Sequence, residues 1–308
     1  MSARVLVTGA TGFIGRHAVS ALLERGFDVA AATADGEDPG VLGPGVECRF
    51  CDLHDDGRRR RLVQDVRASH LLHLAWNVAH GTFWSSPDNL RWAATSANLF
   101  REFTGAGGTR IVGAGTCAEY DWTDGHCTEE VTPSRPSSLY GACKDATFRI
   151  LAAWARETGT SAAWGRVFHL YGPNEHPRRF VPSMILDLLA GRPASCAHPA
   201  HVRDLMHVAD VGGAFAAILA SGVDGAVNVA AGEPHAFGEI AAILAGKTGG
   251  TLSPPAIRPE LASSPTDPSR ITAETRRLRD AVGFAPHFSL DAGLDDAVAW
   301  WRGRAGEA

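Results

Sequence analysis

A glycine-rich turn set between an apolar run and a helical pattern, right at its start, is the feature that most constrains this chain. Residues 4–7, Arg-Val-Leu-Val, read as a buried strand. Thr8-Gly9-Ala-Thr-Gly12-Phe-Ile-Gly15 follows, and Arg16-His-Ala-Val-Ser-Ala-Leu-Leu-Glu24 spaces its apolar residues as a helix. Glycines in such a turn permit positive φ, let the backbone approach a pyrophosphate, and let the helix pack closely on the strand. The first N–H groups of the helix then face the anion. A glycine turn without a ligand is the competing reading, and the strand before it and the helix after it weigh against that.

A second motif, Tyr140-Gly-Ala-Cys-Lys144, places a phenol and an ammonium four residues apart, so on a helix both project from one face. An adjacent positive charge favours the phenolate and lowers the tyrosine pKa towards working pH, which suits an acid or base acting on an alcohol or ketone oxygen. Alone, such spacing fits a solvated helix face. Downstream of a dinucleotide turn it points to nicotinamide chemistry.

Between and after these motifs, residues 28–32, 48–51, 71–75, 110–114 and 162–168 read as further strands with helical stretches between them. That alternation predicts an α/β fold, a Rossmann-like doubly wound parallel sheet with ligands at the carboxyl ends of its strands. Beyond residue 171 the elements shorten. Residues 180–189 and 208–219 read as helices, the second returning to the first domain, 226–229 as a strand, and 289–301 as an amphipathic helix. Residues 253–268 hold five prolines and read as a surface excursion on the substrate side. The expected division is a dinucleotide-binding domain over 1–170 plus about 204–232, and a smaller α/β substrate domain over 171–203 and 233–308.

The chain has 308 residues, 45% apolar and 20% charged, with a formal net charge of −5. A large core is available, and no basic footprint favours nucleic acid or an anionic membrane. No 18-residue apolar stretch and no leader-like start is evident, so a cytoplasmic protein is expected, with its six cysteines reduced. Cys48-x-x-Cys51 lies in a strand-like setting that points its thiols to opposite faces, against a metal site. Arg58-Arg-Arg-Arg61 reads as the outer face of a short helix.

With these residues in view, the chain resembles the extended short-chain dehydrogenases/reductases, in the group of NAD(P)-dependent nucleotide-sugar epimerases, dehydratases and ketoreductases. The resemblance implies a catalytic trio of Thr116, Tyr140 and Lys144, with Thr116 in Gly113-Ala-Gly-Thr-Cys-Ala-Glu-Tyr120. It implies a cofactor site of Gly9, Thr11, Gly12, Phe13, Ile14, Arg16, Thr33, Asp52, Leu53, Leu74 and Ala75, together with Tyr140 and Lys144. Asp52 would read the adenine edge, and Leu74 and Ala75 would underlie the nicotinamide ribose. Arg166-Val-Phe-His169-Leu-Tyr-Gly-Pro173 and Arg203-Asp-Leu-Met-His-Val-Ala-Asp210 resemble segments that hold a sugar-nucleotide diphosphate. Arg203 would form the charged fork, with a salt bridge to Asp204 or Asp210 as the alternative. His80, Trp84, Cys117, His169 and Val181 complete the expected substrate pocket, His80 and Trp84 having lid packing as their alternative.

Departures from the family pattern narrow the chemistry. The 4,6-dehydratases carry an Asp-Glu pair directly after the catalytic Thr, where this chain has Cys117 and Ala118. The 3,5-epimerase/4-reductases carry a Cys and a His at positions occupied here by Ala118 and Arg179, with Cys117 and His176 out of register. What remains is reduction of a nucleotide-activated 4-keto-6-deoxyhexose, or 4-epimerisation with tightly held cofactor. Thr33 stands where NAD enzymes of the group place a ribose-binding acid, so NADP(H) is favoured over NAD(H), with Arg16 as phosphate partner or surface residue. Asp35 restores an NAD preference if the turn bends back. A dinucleotide sensor is the non-enzymatic alternative, and it is separated by Tyr140→Phe, which abolishes turnover but not sensing. Family resemblance also implies a homodimer through the helix of Tyr140 and the long helix before it. Leu99, Phe103, Phe148, Leu151 and Trp154 would form its stripe unless they pack inward.

Overall fold

A computed structural model describes residues 2–254 and 268–305. Seven parallel strands form the main sheet: β1 (Arg4–Thr8), β2 (Asp28–Thr33), β3 (Glu47–Phe50), β4 (His70–His73), β5 (Arg110–Thr116), β7 (Ser161–Val167) and β10 (Gly225–Val229). Their spatial order is β10-β7-β5-β4-β1-β2-β3. The order reverses between β1 and β4, and such a switch point opens a crevice at the carboxyl ends of the strands. Near-continuous burial along β1, β2 and β5 follows from helices covering both faces.

Helix α1 (Gly15–Glu24) packs on α6 (Val208–Ala220) on one face. A Cβ at Gly212 would lie 2.6 Å from Ala18 N, so glycine there sets the close approach of the two helices. The other face carries α2 (Asp56–Val66), α3 (Asp88–Gly105) and α4 (Leu139–Thr158). Leu99, Phe103 and Leu151 are at most 1% exposed, and half-buried Phe148 and Trp154 pack on the same core. The stripe expected at a dimer interface therefore faces inward, and Trp154 Nε1 donates to Thr104 Oγ1 at 3.0 Å.

The basic run divides in the same way. Arg59 is 1% exposed, ion-paired through Nε to Glu102 at 2.8 Å and donating to Leu53 O, whereas its neighbours face solvent. Helical periodicity turns one residue of any four inward, which is why the run is not a uniform outer face.

A second, five-stranded sheet combines β6 (His126–Cys127), β8 (His169–Tyr171), β9 (Val202–His207), β11 (Pro234–Ala236) and β12 (Arg270–Ala273). Beside it, α5 (Phe180–Leu189), α7 (Phe237–Thr248) and α8 (Leu290–Ala305) share a third apolar core containing Met184, Ile185, Leu244 and Leu294. Most of the proline-rich excursion lies outside the described residues.

Candidate active site

The glycine turn closes on itself and on β4. Gly9 has φ +69°, and a Cβ on it would meet Ala75 N at 2.7 Å; a Cβ on Gly15 would meet Gly9 O at 2.0 Å. Turn and strand thus touch backbone to backbone, bringing Leu74 and Ala75 under the turn. Among the described residues the N–H groups of Phe13 and Ile14, at the head of α1, have no hydrogen-bond acceptor, and Gly12 beside them is exposed. These free donors at a helix N-terminus fit a pyrophosphate. Thr33 is 1% exposed at the end of β2 and its Oγ1 has no partner among the described residues, which fits a ribose hydroxyl.

Glu37, which the sequence motifs do not single out, reaches the turn. Its Oε2 accepts Thr11 Oγ1 at 2.6 Å and Ala34 N at 2.8 Å. Asp35 instead pairs with Arg58 at 2.9 Å. Arg16 folds back on the turn, with Nη2 donating to Thr11 O at 2.8 Å and Nε to Gly12 O at 3.3 Å. Asp52 is exposed and accepts His54 N at 2.9 Å, while Leu53 is buried. Cys48 and Cys51 are free thiols, and no group of metal-ligating side chains occurs among the described residues.

Thr116, Tyr140 and Lys144 converge at the carboxyl end of β5. Ser138 Oγ caps α4 by accepting Gly141 N at 3.1 Å, which starts the helix one residue before Tyr140. A Cβ at Gly141 would lie 2.3 Å from Ala118 O, so glycine lets the helix start sit directly on the turn after Thr116. The Thr116 side chain acts on the Tyr140 hydroxyl, favouring its ionised form. Lys144 Nζ donates to Ala114 O at 2.7 Å and lies 4.0 Å from the Trp76 ring centroid.

Burial acts on both titrating groups. It pushes the Tyr140 hydroxyl well above its ordinary value, against the lowering by Thr116, and pushes Lys144 down to about 7. The expectation that the neighbouring cation lowers the tyrosine is thereby corrected: desolvation outweighs it, because Phe83, Trp84 and Trp76 set their rings around the phenol at centroid distances of 4.9, 5.8 and 6.5 Å. Tyr140 N also donates to Trp84 O at 3.1 Å, so Trp84 both packs as a lid and borders the site.

The other expected substrate residues divide. His80 stacks on His176 at 4.7 Å, joining the loop after β4 to the segment after β8. Cys117 is buried, and burial pushes its thiol up. His169 is pushed down to about 3 by burial, with the charges of Arg203 and Arg179 adding to it, and its Nδ1 has no partner among the described residues. Val181 is 2% exposed within the third core, so its side chain packs the fold and offers no surface to a substrate. Arg203, 2% exposed, donates to Val202 O at 2.9 Å and Pro268 O at 2.8 Å. It pairs with neither Asp204 nor Asp210, whose carboxylates take the N–H groups of Ala231 and Gly232, and of His287 and Phe288.

Arg179, in the sequence only a departure from the family pattern, gains a place in the site from the fold. It precedes α5, lies 5.8 Å from the Phe83 ring centroid, and its charge acts on Tyr140, His169 and Glu175. Its guanidinium forms no ion pair or hydrogen bond among the described residues. Burial pushes the Glu175 carboxyl up to about 8.

Known proteins resemble the chain in sequence and in fold. The family model of NAD dependent epimerases/dehydratases matches residues 5–230. The chain is 30% identical over 236 residues to a dTDP-glucose 4,6-dehydratase of Mycobacterium tuberculosis, covering 71% of this chain and 69% of that protein. It is 28% identical over 186 residues to a dTDP-6-deoxy-L-talose 4-dehydrogenase (NAD(+)) of Aggregatibacter actinomycetemcomitans, covering 60% and 66%. Matches to the dTDP-glucose 4,6-dehydratases of two mycobacteria span 52% to 69% of those relatives' length. Among solved structures, a Thermus thermophilus UDP-glucose 4-epimerase with NAD is 28% identical, has a TM-score of 0.83, and is matched over 97% of this chain and 99% of that one. No helix among the described residues is long and apolar enough to cross a membrane. By the family model's match over residues 5–230, the chain belongs to the NAD dependent epimerase/dehydratase family.

Proposed function

We propose that the chain is an NAD(H)-dependent 4-ketoreductase of a nucleotide-activated 4-keto-6-deoxyhexose. One observation carries the reading: Thr116, Tyr140 and Lys144 lie together, and the two positions directly after Thr116 are Cys117 and Ala118, neither a carboxylate. Elimination of water needs a group to take a proton from one carbon and another to protonate the leaving hydroxyl. Ketone reduction needs a proton only at oxygen. Bound nicotinamide would supply the hydride. Tyr140, held protonated by its aromatic surroundings, gives its proton to the developing alkoxide, and the Thr116 hydroxyl donates to the same oxygen. Lys144 orients the cofactor ribose and places positive charge beside the phenol.

Glu37 moves the cofactor expectation from NADP(H) to NAD(H). A carboxylate on the glycine turn accepts from a ribose hydroxyl and repels a 2′-phosphate. Arg179 supports an anionic substrate, since a half-buried cation without an ion pair among the described residues suits a diphosphate. The substrate would lie between the main sheet and the region of 171–203 and 233–308. We extend the reading to a homodimer through the outer faces of α3 and α4, where Leu90 and Ile150 are 59% and 45% exposed.

A 4-epimerase is the second reading, favoured by the likeness over 97% of the chain to an NAD-bound UDP-glucose 4-epimerase. The test follows NADH and NADPH absorbance with dTDP-, GDP- and CDP-4-keto-6-deoxyhexoses and identifies the sugars formed. Stoichiometric loss of NADH establishes the reductase. Interconversion of NDP-hexoses at C4 without net loss establishes the epimerase and overturns the first reading.

A further inference from the structure

Glu119 is a carboxylate that the reduction described above does not use. It closes the short turn Cys117–Glu119 after β5 and is 0% exposed. Its Oε1 accepts the backbone N–H of Thr116 at 2.9 Å and the indole Nε1 of Trp164 at 2.9 Å. Its Oε2 is paired with Arg166 Nε at 2.7 Å, and that guanidinium is 5% exposed. Thr116 Oγ1 in turn accepts Ala118 N at 3.2 Å, so threonine and glutamate cap one another across the turn.

The glycines of β5 are shaped around this group. A Cβ on Gly115 would lie 2.1 Å from Trp164 Nε1 and 2.5 Å from Glu119 Oε1, and one on Gly113 would lie 2.2 Å from Trp164 Cζ3. The strand gives up two side chains to let an indole and a carboxylate lie along it, immediately before the threonine of the trio. Lys144 Nζ, bonded to Ala114 O, lies 5.8 Å from the same indole ring.

We propose that Glu119 is a positioning residue for the hydride-transfer site: pinned by Arg166 and Trp164, its carboxylate fixes the Thr116 backbone and sets a counter-charge at the Trp164 indole that Lys144 also borders. The inference rests on the reading of Thr116, Tyr140 and Lys144 as the reacting set. Every hydrogen-bond partner of Glu119 is a donor, so the acceptor-only carboxylate is the form that fits, although burial pushes the carboxyl up. The groups around the two charges are Arg166 on β7, His73 on β4, Cys117 on the turn and Tyr140 on α4. Of these, neutral His73 and the thiol supply no anion at neutral pH. Among the described residues, Glu119 is the anion that acts on Lys144 against the effect of burial.

Two variants separate the two roles. Glu119→Gln keeps the shape and the acceptor for Thr116 N but removes the charge; Glu119→Asp keeps the charge but withdraws its reach. NADH binding is followed across pH by quenching of tryptophan fluorescence, which needs no sugar substrate, and folding is followed by circular dichroism. In the wild type, binding weakens as pH rises and Lys144 deprotonates. In Glu119→Gln that midpoint falls by about one pH unit, as expected for loss of a nearby opposite charge. In Glu119→Asp the midpoint stays, while kcat for ketone reduction falls about ten-fold or more at unchanged cofactor affinity because Thr116 loses its register. A folded Glu119→Gln with the wild-type midpoint overturns the counter-charge, and a Glu119→Asp with wild-type kcat overturns the positioning even if the Gln variant does not fold. A wild type that binds no dinucleotide overturns the hydride-transfer reading and the inference with it. Binding without turnover of any sugar overturns only the substrate assignment.

Discussion

On the NAD(H) reading proposed above, Thr33 and Glu37 would share the work of the single acid that NAD enzymes of this group place at the end of β2. Thr33 leaves a hydroxyl buried without a partner, and Glu37, four residues on, brings the charge to Thr11. Replacing Glu37 by Gln removes the repulsion of a 2′-phosphate but keeps a polar group at the turn. The ratio of NADH to NADPH affinity is then expected to fall about ten-fold or more, measured by titrating both cofactors; an unchanged ratio would exclude Glu37 as the discriminating residue. His73 makes a second residue-scale case. Ser96 Oγ donates to Trp92 O, so it accepts from His73 Nε2, and His73 Nδ1 accepts from Thr8 Oγ1. Burial, with the Lys144 charge, pushes this histidine down to about 3. The unfolded chain binds the proton first, so the group has no effect above about pH 6.5 and costs stability as pH falls below that. Buried Glu175, pushed up, acts with the opposite sign in the same window, so the test is a difference: the urea-unfolding free energy of the wild type should fall more steeply than that of His73→Gln between pH 6 and 4, by about 1.4 kcal/mol per pH unit. Parallel profiles would show that the ring is not kept neutral. Neither Glu37 nor the relay through His73 is legible in the sequence, because each depends on a contact between distant residues and leaves no periodic trace.

At the scale of elements, β5 and α4 form the site by the closeness of their backbones. The contact rests on Gly141, so Gly141→Ala must push the helix start away from Ala118 O and separate Tyr140 from Thr116. A loss of kcat of about a hundredfold is expected from a displacement near 1 Å, with folding retained. Gly246 is the matching control. It lies exposed in α7, with open space around its missing Cβ, and Gly246→Ala should stabilise by about 0.5–1 kcal/mol without changing kcat. Equal effects of the two changes on kcat would remove the close approach as a cause. Elements of this kind were legible where the chain signals locally. Helix α5 spans Phe180–Leu189 as the apolar spacing predicts, and the six strands read from apolar runs in the first 170 residues all occur. The second sheet was not, because β6 has two residues and β8 three, and such strands exist only through partners far along the chain.

For the whole molecule, the β1–β4 switch point brings the glycine turn at residue 9 and the segment that Tyr140 packs on to one edge of the sheet: the sheet order sets β4, and then β5, beside β1. The trio and the turn stand out in the sequence because the chemistry proposed for them demands particular residue types at fixed spacing. The substrate side was not, since Arg179 and Glu175 acquire meaning only from what the fold places around them. Association belongs to this scale too. The stripe expected to join two copies is spent on the core, which leaves Ala142, Ala146, Ile150 and Ala153 on the outer face of α4, with Leu90 exposed on α3. Small residues around an exposed isoleucine allow two helices to approach closely, and the interface would form from residues that contribute nothing to the monomer's core. Sedimentation at micromolar concentration should therefore find a dimer. The double variant Leu90→Glu/Ile150→Glu should dissociate it, raising Kd about a hundredfold or more while leaving circular dichroism and dinucleotide binding unchanged, because both side chains lie away from the glycine turn and the trio. A wild type that sediments as a monomer would leave this face without a role in self-association, and a variant that remains dimeric would move the interface to another part of the surface.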